Sequence, residues 1–199
     1  MIEKILLSLV IAYVIGSLSL GYFLGKLKGT DLRKAGPIKN IGASNVRHVL
    51  GFKYSIISGI FDAAKGILAI VIAILLRVPF YIYPFNGLLA IIGHCFPFYL
   101  NFKGGRGAAT AIGLIIFGFT LLILNSKNFS FLFLFLFAFL SLLFLFLTKA
   151  KNLTAIFSTL LFFLLIFPKA NDFKWIISIG FLWLSLLGII AIKEKGIKA

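Results

Sequence analysis

Residues 5–25 read ILLSLVIAYVIGSLSLGYFLG and contain no charged side chain. A helix needs about 20 apolar residues to cross roughly 30 Å of hydrocarbon, and this stretch is long enough to do so. Comparable stretches follow at residues 54–76, 83–100, 108–124, 129–147, 153–168 and 174–192. The sequence therefore predicts an all-α membrane protein whose seven transmembrane helices form a single polytopic domain over residues 1–199.

Composition supports the same class of protein. The 199 residues are 61% apolar and include only five acidic side chains, and the mean hydropathy is +1.12. A soluble domain of this length carries many more charged residues, because water must solvate its surface. No small-residue cleavage site follows the first apolar stretch, so we expect that stretch to be retained as a span.

The formal charge of +15 points to a membrane surface and argues against nucleic acid. The basic residues lie at the ends of the apolar stretches, where they set orientation and attract anionic headgroups, and they form no basic face. We therefore expect membrane lipids as partners and no nucleic acid. The single cysteine, Cys95, excludes an internal disulfide, and the neighbouring His94 lacks partners for a metal site. We expect neither a metal nor another cofactor.

Orientation follows from the distribution of lysine and arginine. If the N-terminus lies outside, 15 of the 20 basic residues fall on the cytoplasmic side and five on the other. This is a strong positive-inside bias. The prediction is a multi-pass protein of the bacterial inner membrane with an outside N-terminus, a cytoplasmic C-terminus and its active face toward the cytoplasm.

The loop at residues 101–107 reads NFKGGRG and directly precedes an apolar stretch. Glycine lets backbone N–H groups converge on an anion, and a helix N-terminus adds partial positive charge. Lys103 and Arg106 would add full charges, and arginine can hold phosphate with two parallel hydrogen bonds. The alternative is an ordinary basic turn between two spans. The spacing is not that of a P-loop.

A second polar loop occupies about residues 26–53 and is the longest polar segment. Its small residues, amides and cations also suit an anionic ligand, although turn residues are common in any solvated loop. The residues of interest in it are Asp31, Leu32, Arg33, Gly36, Asn40, Ile41, Gly42, Ala43, Ser44 and Asn45.

Three ionisable residues fall inside apolar stretches, where charge is costly and indicates function. Asp62 and Lys65 are three apart and so share a helix face. For Asp62 a structural ion pair is favoured over catalysis, whereas Lys65 could reach a phosphate at headgroup level. His94 is either a general base or a hydrogen-bonded packing residue.

Several segments in order resemble the bacterial integral-membrane acyltransferases that transfer an acyl group from acyl phosphate to glycerol 3-phosphate. They run along the first 110 residues, and the block at 93–97 and 102–110 is the most specific. The matching segments are GSLSLG at 16–21, DLR at 31–33, NIGASN at 40–45, DAAKG at 62–66, GHCFP at 93–97 and FKGGRGAAT at 102–110.

The resemblance implies seven spans and transfer of a fatty acyl group from acyl phosphate to the 1-hydroxyl of glycerol 3-phosphate. The products would be lysophosphatidate and phosphate, formed without acyl-CoA or a metal. On this basis the predicted catalytic residues are His94, Lys103 and Asn45. The predicted phosphate-binding residues are Lys103, Gly104, Gly105, Arg106, Gly107, Arg33, Lys65, Asn40, Gly42, Ser44, Arg47 and His48.

The chain also departs from the family pattern. Residues 36–40 read GPIKN where the family has Gly-Ser-Gly-Asn, and His48 stands where the family has arginine. Lys151 and Asn152 replace a serine-containing loop, and KEKG at 193–196 replaces a C-terminal Arg-His-Arg-x-Asn run. These differences leave two alternatives open: a paralogue that acylates another acceptor, or a non-catalytic membrane scaffold.

Overall fold

The computed structural model describes residues 1–125, 138–143, 151–165 and 174–196, and all regular structure in these ranges is helical. Residues 138–143 form one helical piece. The remaining helices are α1 (Ile2–Ser17), α2 (Leu20–Leu27), α3 (Ala43–Leu50), α4 (Phe52–Leu75), α5 (Tyr83–Cys95), α6 (Ala108–Asn125), α7 (Lys151–Leu165) and α8 (Lys174–Gly196).

The first and third predicted spans differ from the observed helices. Residues 5–25 are interrupted, because Leu18 and Ser19 take extended backbone angles between α1 and α2. The third span, predicted to reach residue 100, ends as an α-helix at Cys95. Pro97 supplies no N–H to continue a helix and restricts the residue before it, so the chain turns there. Most of the predicted span at 129–147 lies outside the described residues.

Among the residues that the structure describes, two helical stretches, Ile2–Leu27 and Phe52–Leu75, are long and apolar enough to cross a membrane. The first counts α1 and α2 as one stretch. The predicted span at 54–76 is confirmed as a helix to within two residues at each end.

Helix α1 has large apolar side chains outside and small or polar residues inside. Leu6, Val10 and Val14 are exposed, whereas Ser8, Ala12 and Gly16 are buried at the same four-residue spacing. Lipid solvates large apolar side chains well, so membrane helices associate mainly through small residues that let backbones approach. The pattern suits a helix that packs inside a bundle and faces lipid on its other side.

The first compact unit covers Met1–Leu114, in which α1, α4 and α5 pack against one another. Glycines set these contacts: a Cβ added at Gly16 would overlap the backbone of Ala90, and one at Gly93 would overlap the carbonyl of Tyr13. Helix α3 lies against α4, and α2 contacts both. The core of this unit therefore depends on close approach of backbones.

The second unit covers Ile115–Ala199, where α7 packs against α8. The rings of Phe162 and Phe181 stack with centroids 5.0 Å apart, and Phe119 contacts both rings edge-on. The Thr159 hydroxyl donates to the carbonyl of Phe181 at 3.0 Å and also contacts the Ser185 hydroxyl. Aromatic packing and buried hydroxyl bonds hold this unit together.

Candidate phosphate-binding site

The 101–107 loop is fixed to the end of α5 by two backbone hydrogen bonds. The Gly104 N–H donates to the carbonyl of Cys95 at 2.9 Å, and the Gly105 N–H donates to the carbonyl of His94 at 3.0 Å. A Cβ at Gly104 would overlap the His94 carbonyl, and one at Gly105 would overlap the His94 ring. The glycine pair is therefore required by this packing. Both N–H groups donate to protein carbonyls in this structure, and phosphate binding by Gly104 and Gly105 stays a prediction.

The loop carries two cations beside the packed glycines. Lys103 and Arg106 are both exposed. Gly107 is buried with a positive φ of 74°, and its carbonyl accepts from the Ala111 N–H at 2.9 Å in the first turn of α6. The loop thus holds two exposed cations close to the start of a helix, as an anion site requires.

Asn45 organises the first polar loop. Its side chain is fully buried, and its Nδ2 group lies 2.8–2.9 Å from the carbonyls of Leu32, Ala35 and Asn40. Its Oδ1 accepts from the Ile38 N–H at 3.2 Å. With both ends of the amide occupied by backbone, the geometry gives Asn45 a structural task. Its predicted catalytic role stays a prediction.

Asn40 and Gly42 form the turn that starts α3. The Asn40 Oδ1 accepts from the Gly42 N–H at 3.1 Å, and the Gly42 carbonyl accepts from the N–H groups of Asn45 and Val46. Three further predicted phosphate ligands, Ser44, Arg47 and His48, lie on α3 with exposed side chains, and the Arg47 guanidinium lies 5.5 Å from the centroid of the Phe52 ring.

Asp31 and Arg33 form an ion pair in the same loop. The Arg33 Nε and Nη2 donate to the two carboxylate oxygens of Asp31 at 3.0 and 2.9 Å. The hydrogen bond from Arg33 is the main cause that lowers the pKa of Asp31, and the same bond raises the pKa of Arg33. Arg33 also stacks over Tyr22 and donates to the Leu100 carbonyl at 3.4 Å. This bond links the 26–53 loop to the residue that precedes the 101–107 loop.

Asp62, Lys65 and His94 form a buried cluster of titratable side chains. The Lys65 Nζ is 2.9 Å from Asp62 Oδ1 and 2.9 Å from His94 Nδ1. It also donates to the carbonyls of Gly16 at 3.0 Å and Leu18 at 2.7 Å. Lys65 is only 2% exposed and its donors are engaged by protein, so this geometry gives no support to direct phosphate binding by Lys65.

Tyr99 is a structural residue that the sequence reasoning missed. Its hydroxyl donates to the Ser17 carbonyl at 2.9 Å and accepts from the Ser19 N–H at 3.1 Å, between α1 and α2. The hydroxyl of Tyr13, on α1, donates to the Phe96 carbonyl at 2.8 Å. The available signal was a pair of tyrosine hydroxyls within otherwise apolar stretches, since such hydroxyls need a partner when buried.

No group of three or more His, Cys, Asp or Glu side chains that could hold a metal occurs among the described residues. Among the predicted site residues, Gly107 is buried and Arg33, Asn40, Gly42, Gly104 and Gly105 are partly buried. The remaining predicted site residues fall into two sets. Lys103, Arg106, Ser44, Arg47 and His48 are exposed. Asn45, Lys65 and His94 are buried.

A model of the glycerol-3-phosphate acyltransferase family matches residues 6–197, which is nearly the whole chain. The chain belongs to the glycerol-3-phosphate acyltransferase family. The resemblance found in the sequence is thereby confirmed, and the match extends beyond the first 110 residues that carried it.

Individual relatives of this family align over part of their length. The chain is 39% identical to the Aquifex aeolicus glycerol-3-phosphate acyltransferase over 113 residues, which are 56% of this chain and 58% of that protein. It is 46% identical to the Macrococcus caseolyticus enzyme over 114 residues, which are 57% of this chain and 58% of that protein. These alignments thus span well under two thirds of the curated relatives.

Solved structures of the family cover nearly the whole fold. The crystal structure of PlsY (YgiH), an integral membrane glycerol 3-phosphate acyltransferase, in its glycerol 3-phosphate form has a TM-score of 0.69. It shares 28% identity and covers 98% of this chain and 92% of that one. The lysophosphatidic acid form has a TM-score of 0.61 at 28% identity and covers 96% and 92% of the two chains. This chain is accordingly a multi-pass membrane protein with the helical fold of that family.

Proposed function

We propose that this protein transfers a fatty acyl group from acyl phosphate to the 1-hydroxyl of glycerol 3-phosphate, giving lysophosphatidate in phospholipid biosynthesis. The observation that carries the proposal is the anchored 101–107 loop, which presents Lys103 and Arg106 at the start of α6. Family membership supports the same reaction, and the glycerol 3-phosphate form of PlsY supports the acceptor.

The reaction requires little beyond positioning and charge neutralisation. The hydroxyl oxygen of glycerol 3-phosphate forms the new ester bond with the acyl carbon, and the bond from that carbon to the phosphate oxygen breaks. Phosphate leaves with the electron pair and one of its oxygens takes the hydroxyl proton. Lys103 and Arg106 would neutralise the charge that grows on the leaving phosphate. Neither a metal nor another cofactor enters this scheme.

The predicted base, His94, is placed behind the loop. Its Nδ1 faces Lys65 and its Nε2 lies against Gly105. A base must come within hydrogen-bond reach of the proton that it removes. We therefore assign the proton to a phosphate oxygen and keep general-base catalysis by His94 as the alternative to be tested.

Recognition of the acceptor is proposed to depend on the first polar loop. Lys39, Arg47 and His48 are exposed there, and Lys39 has a positive φ of 51°. This loop carries the departures from the family pattern at residues 36–40 and at His48. We expect alanine at both Lys39 and Arg47 to raise KM for glycerol 3-phosphate and to leave KM for acyl phosphate unchanged. Unchanged KM for glycerol 3-phosphate would remove the acceptor role from this loop.

Topology forms a further part of the proposal. Seven spans, an outside N-terminus, a cytoplasmic C-terminus and an inner-membrane location with a cytoplasmic active face are supported by the positive-inside bias. Single cysteines introduced into a Cys95→Ala background, at residues 101–107 and at 169–173, test it with a membrane-impermeant thiol reagent. Labelling of the 101–107 loop from outside intact cells would reverse the proposed orientation.

The direct test of function uses purified protein, acyl phosphate and a set of acceptors. We expect phosphate release that depends on glycerol 3-phosphate and matches lysophosphatidate formed, and no transfer from acyl-CoA. Transfer only to another acceptor would favour the paralogue. Absence of acyl-phosphate binding and of transfer would favour the scaffold.

A further inference from the structure

The interruption between α1 and α2 leaves backbone carbonyls without helical partners inside an apolar stretch. In a membrane such groups must be satisfied by protein, because lipid offers no hydrogen bonds. The structure supplies a donor to each carbonyl from residue 14 to residue 18. The donors are Ser17 Oγ for Val14, Leu18 N–H for Ile15, Lys65 for Gly16, Tyr99 for Ser17 and Lys65 for Leu18.

Lys65 contributes two of these five bonds and is the only charged donor among them. Its charge is balanced by Asp62 Oδ1 at 2.9 Å, a contact that is ionic and not an aligned hydrogen bond. Both side chains are almost fully buried. A buried pair of this kind is costly in desolvation, so its presence is weak evidence of a contribution to stability.

The same ammonium group contacts His94, which in turn contacts the 101–107 loop. Lys65 has three N–H donors, and His94 Nδ1 lies 2.9 Å from it. His94 Nδ1 also lies 3.4 Å from Asp62 Oδ1, and Nε2 is the ring atom that a Cβ at Gly105 would meet first. The backbone carbonyl of His94 holds the Gly105 N–H as well. Lys65 is thus one residue removed from the loop that presents Lys103 and Arg106.

Lys65 is also linked to the first polar loop through a chain of contacts that includes α2. The bond to the Leu18 carbonyl fixes the point where α2 begins, and Ser19 caps that helix. Tyr22 on α2 lies under the Arg33 guanidinium, and Arg33 donates to Leu100. Both loops of the site therefore contact residues whose positions depend on Lys65, which bonds to the backbone between α1 and α2.

We propose that Lys65, with Asp62 and His94, is a positioning residue. It holds the 101–107 loop in place through its contact with His94 and does not touch either substrate. The proposal rests on the proposed function for its kinetic readout and on loop geometry for a readout independent of activity. It differs from a purely structural ion pair, which would change the yield and thermal stability of the protein but leave the loop of the folded fraction in place.

The experiment compares Lys65→Met with Lys53→Met, which removes an exposed lysine from the same helix. Limited trypsin digestion of each purified, monodisperse protein measures cleavage after Lys103 and Arg106 relative to cleavage after Arg77. We expect Lys65→Met to raise that ratio at least about tenfold and to raise KM for acyl phosphate, since small displacements of a positioned group are costly. Lys53→Met should change neither. An unchanged ratio, or a parallel rise at all three sites, would overturn the proposal.

A pair of histidine variants keeps the proposal testable if Lys65→Met does not fold. Asparagine can replace the Nδ1 position of His94 and glutamine the Nε2 position. We expect His94→Gln to lose more acyl transfer than His94→Asn, because contact with Lys65 is made at Nδ1. The reverse order would overturn the proposal. Wild-type protein that lacks transfer would reject the proposed function alone, and the trypsin ratio would still decide the positioning role.

Discussion

Two lysines of this molecule, Lys65 and Lys103, were both predicted from the sequence to bind phosphate, and the structure gives them opposite surroundings. Lys65 is buried in α4, where four protein acceptors lie within 3.0 Å of its ammonium group. Lys103 is exposed in a loop whose Gly104 and Gly105 N–H groups donate to the end of α5. The comparison separates two proposed tasks of a cation at an anion site: facing the ligand, or fixing the backbone that presents other cations.

The largest effect is expected from a change that separates the loop from its support. Gly104→Ala adds a Cβ that would overlap the carbonyls of His94 and Cys95, so the loop must move. A displacement of about 1 Å at such a site costs on the order of a hundredfold in rate. We expect a loss of acyl transfer of that size with intact folding, measured as kcat/KM and as circular dichroism.

Gly59→Ala is the matched control for that substitution. Its added Cβ would meet the Ala43 side chain at 3.5 Å, which is ordinary contact, and Gly59 lies in a helix. We expect wild-type transfer from this variant. Equal activity of the Gly104→Ala protein would mean that the loop does not need its anchoring.

Asn45→Ala tests whether a predicted catalytic residue acts through structure. The substitution leaves buried carbonyls and the Ile38 N–H without their partner, at a cost of about 1–3 kcal/mol for each unsatisfied group. We expect thermal stability and activity to fall together, as followed by a melting curve and a transfer assay. Loss of activity at unchanged melting temperature would restore the catalytic assignment of Asn45.

Arg106→Ala removes the second exposed cation of the loop that carries Lys103. We expect at least about tenfold lower kcat/KM, equal to about 1.4 kcal/mol, because a charge-assisted and bidentate contact to phosphate is lost. Arg106→Lys should lose only part of this, since it keeps the charge and loses the fork. Full activity of the alanine variant in steady-state assays would rule out phosphate binding by Arg106.

The smallest effect belongs to the Asp31–Arg33 pair, which is partly exposed. Arg33 lowers the pKa of Asp31 below its ordinary value of 3.8. The stabilisation is therefore fully present above about pH 4 and is lost as pH falls through the lowered pKa. Asp31→Asn should cost less than about 1 kcal/mol at pH 7. Chemical denaturation of both proteins at pH 7 and pH 3 should show a difference that shrinks at the lower pH, and a constant difference would contradict it.

The sequence predicted helices well where apolar length alone decides them. The span at 54–76 is confirmed by Phe52–Leu75. The sequence-based prediction of one uninterrupted span at 5–25 was wrong, because long-range contacts decide the local conformation there. The interruption at Leu18 and Ser19 depends on Lys65, 47 residues away from Leu18, and on Tyr99, 80 residues away from Ser19.

The candidate site shows the same division. The basic loop at 101–107 was found from charge and glycine content, both of which are local properties of the sequence. Whether a glycine N–H or a lysine is available to a ligand depends on the neighbours that it meets in three dimensions. Gly104, Gly105 and Lys65 meet protein acceptors, and nothing in their own segments indicates this.

Lysine labelling tests the central contrast most directly. Purified protein is treated briefly with an amine-reactive reagent, with and without inorganic phosphate, and modification is located by mass spectrometry. We predict that Lys103 is modified and is protected by phosphate, whereas Lys65 stays unmodified under both conditions because it is buried and engaged. Modification of Lys65 that phosphate suppresses, with Lys103 indifferent to phosphate, would contradict the account.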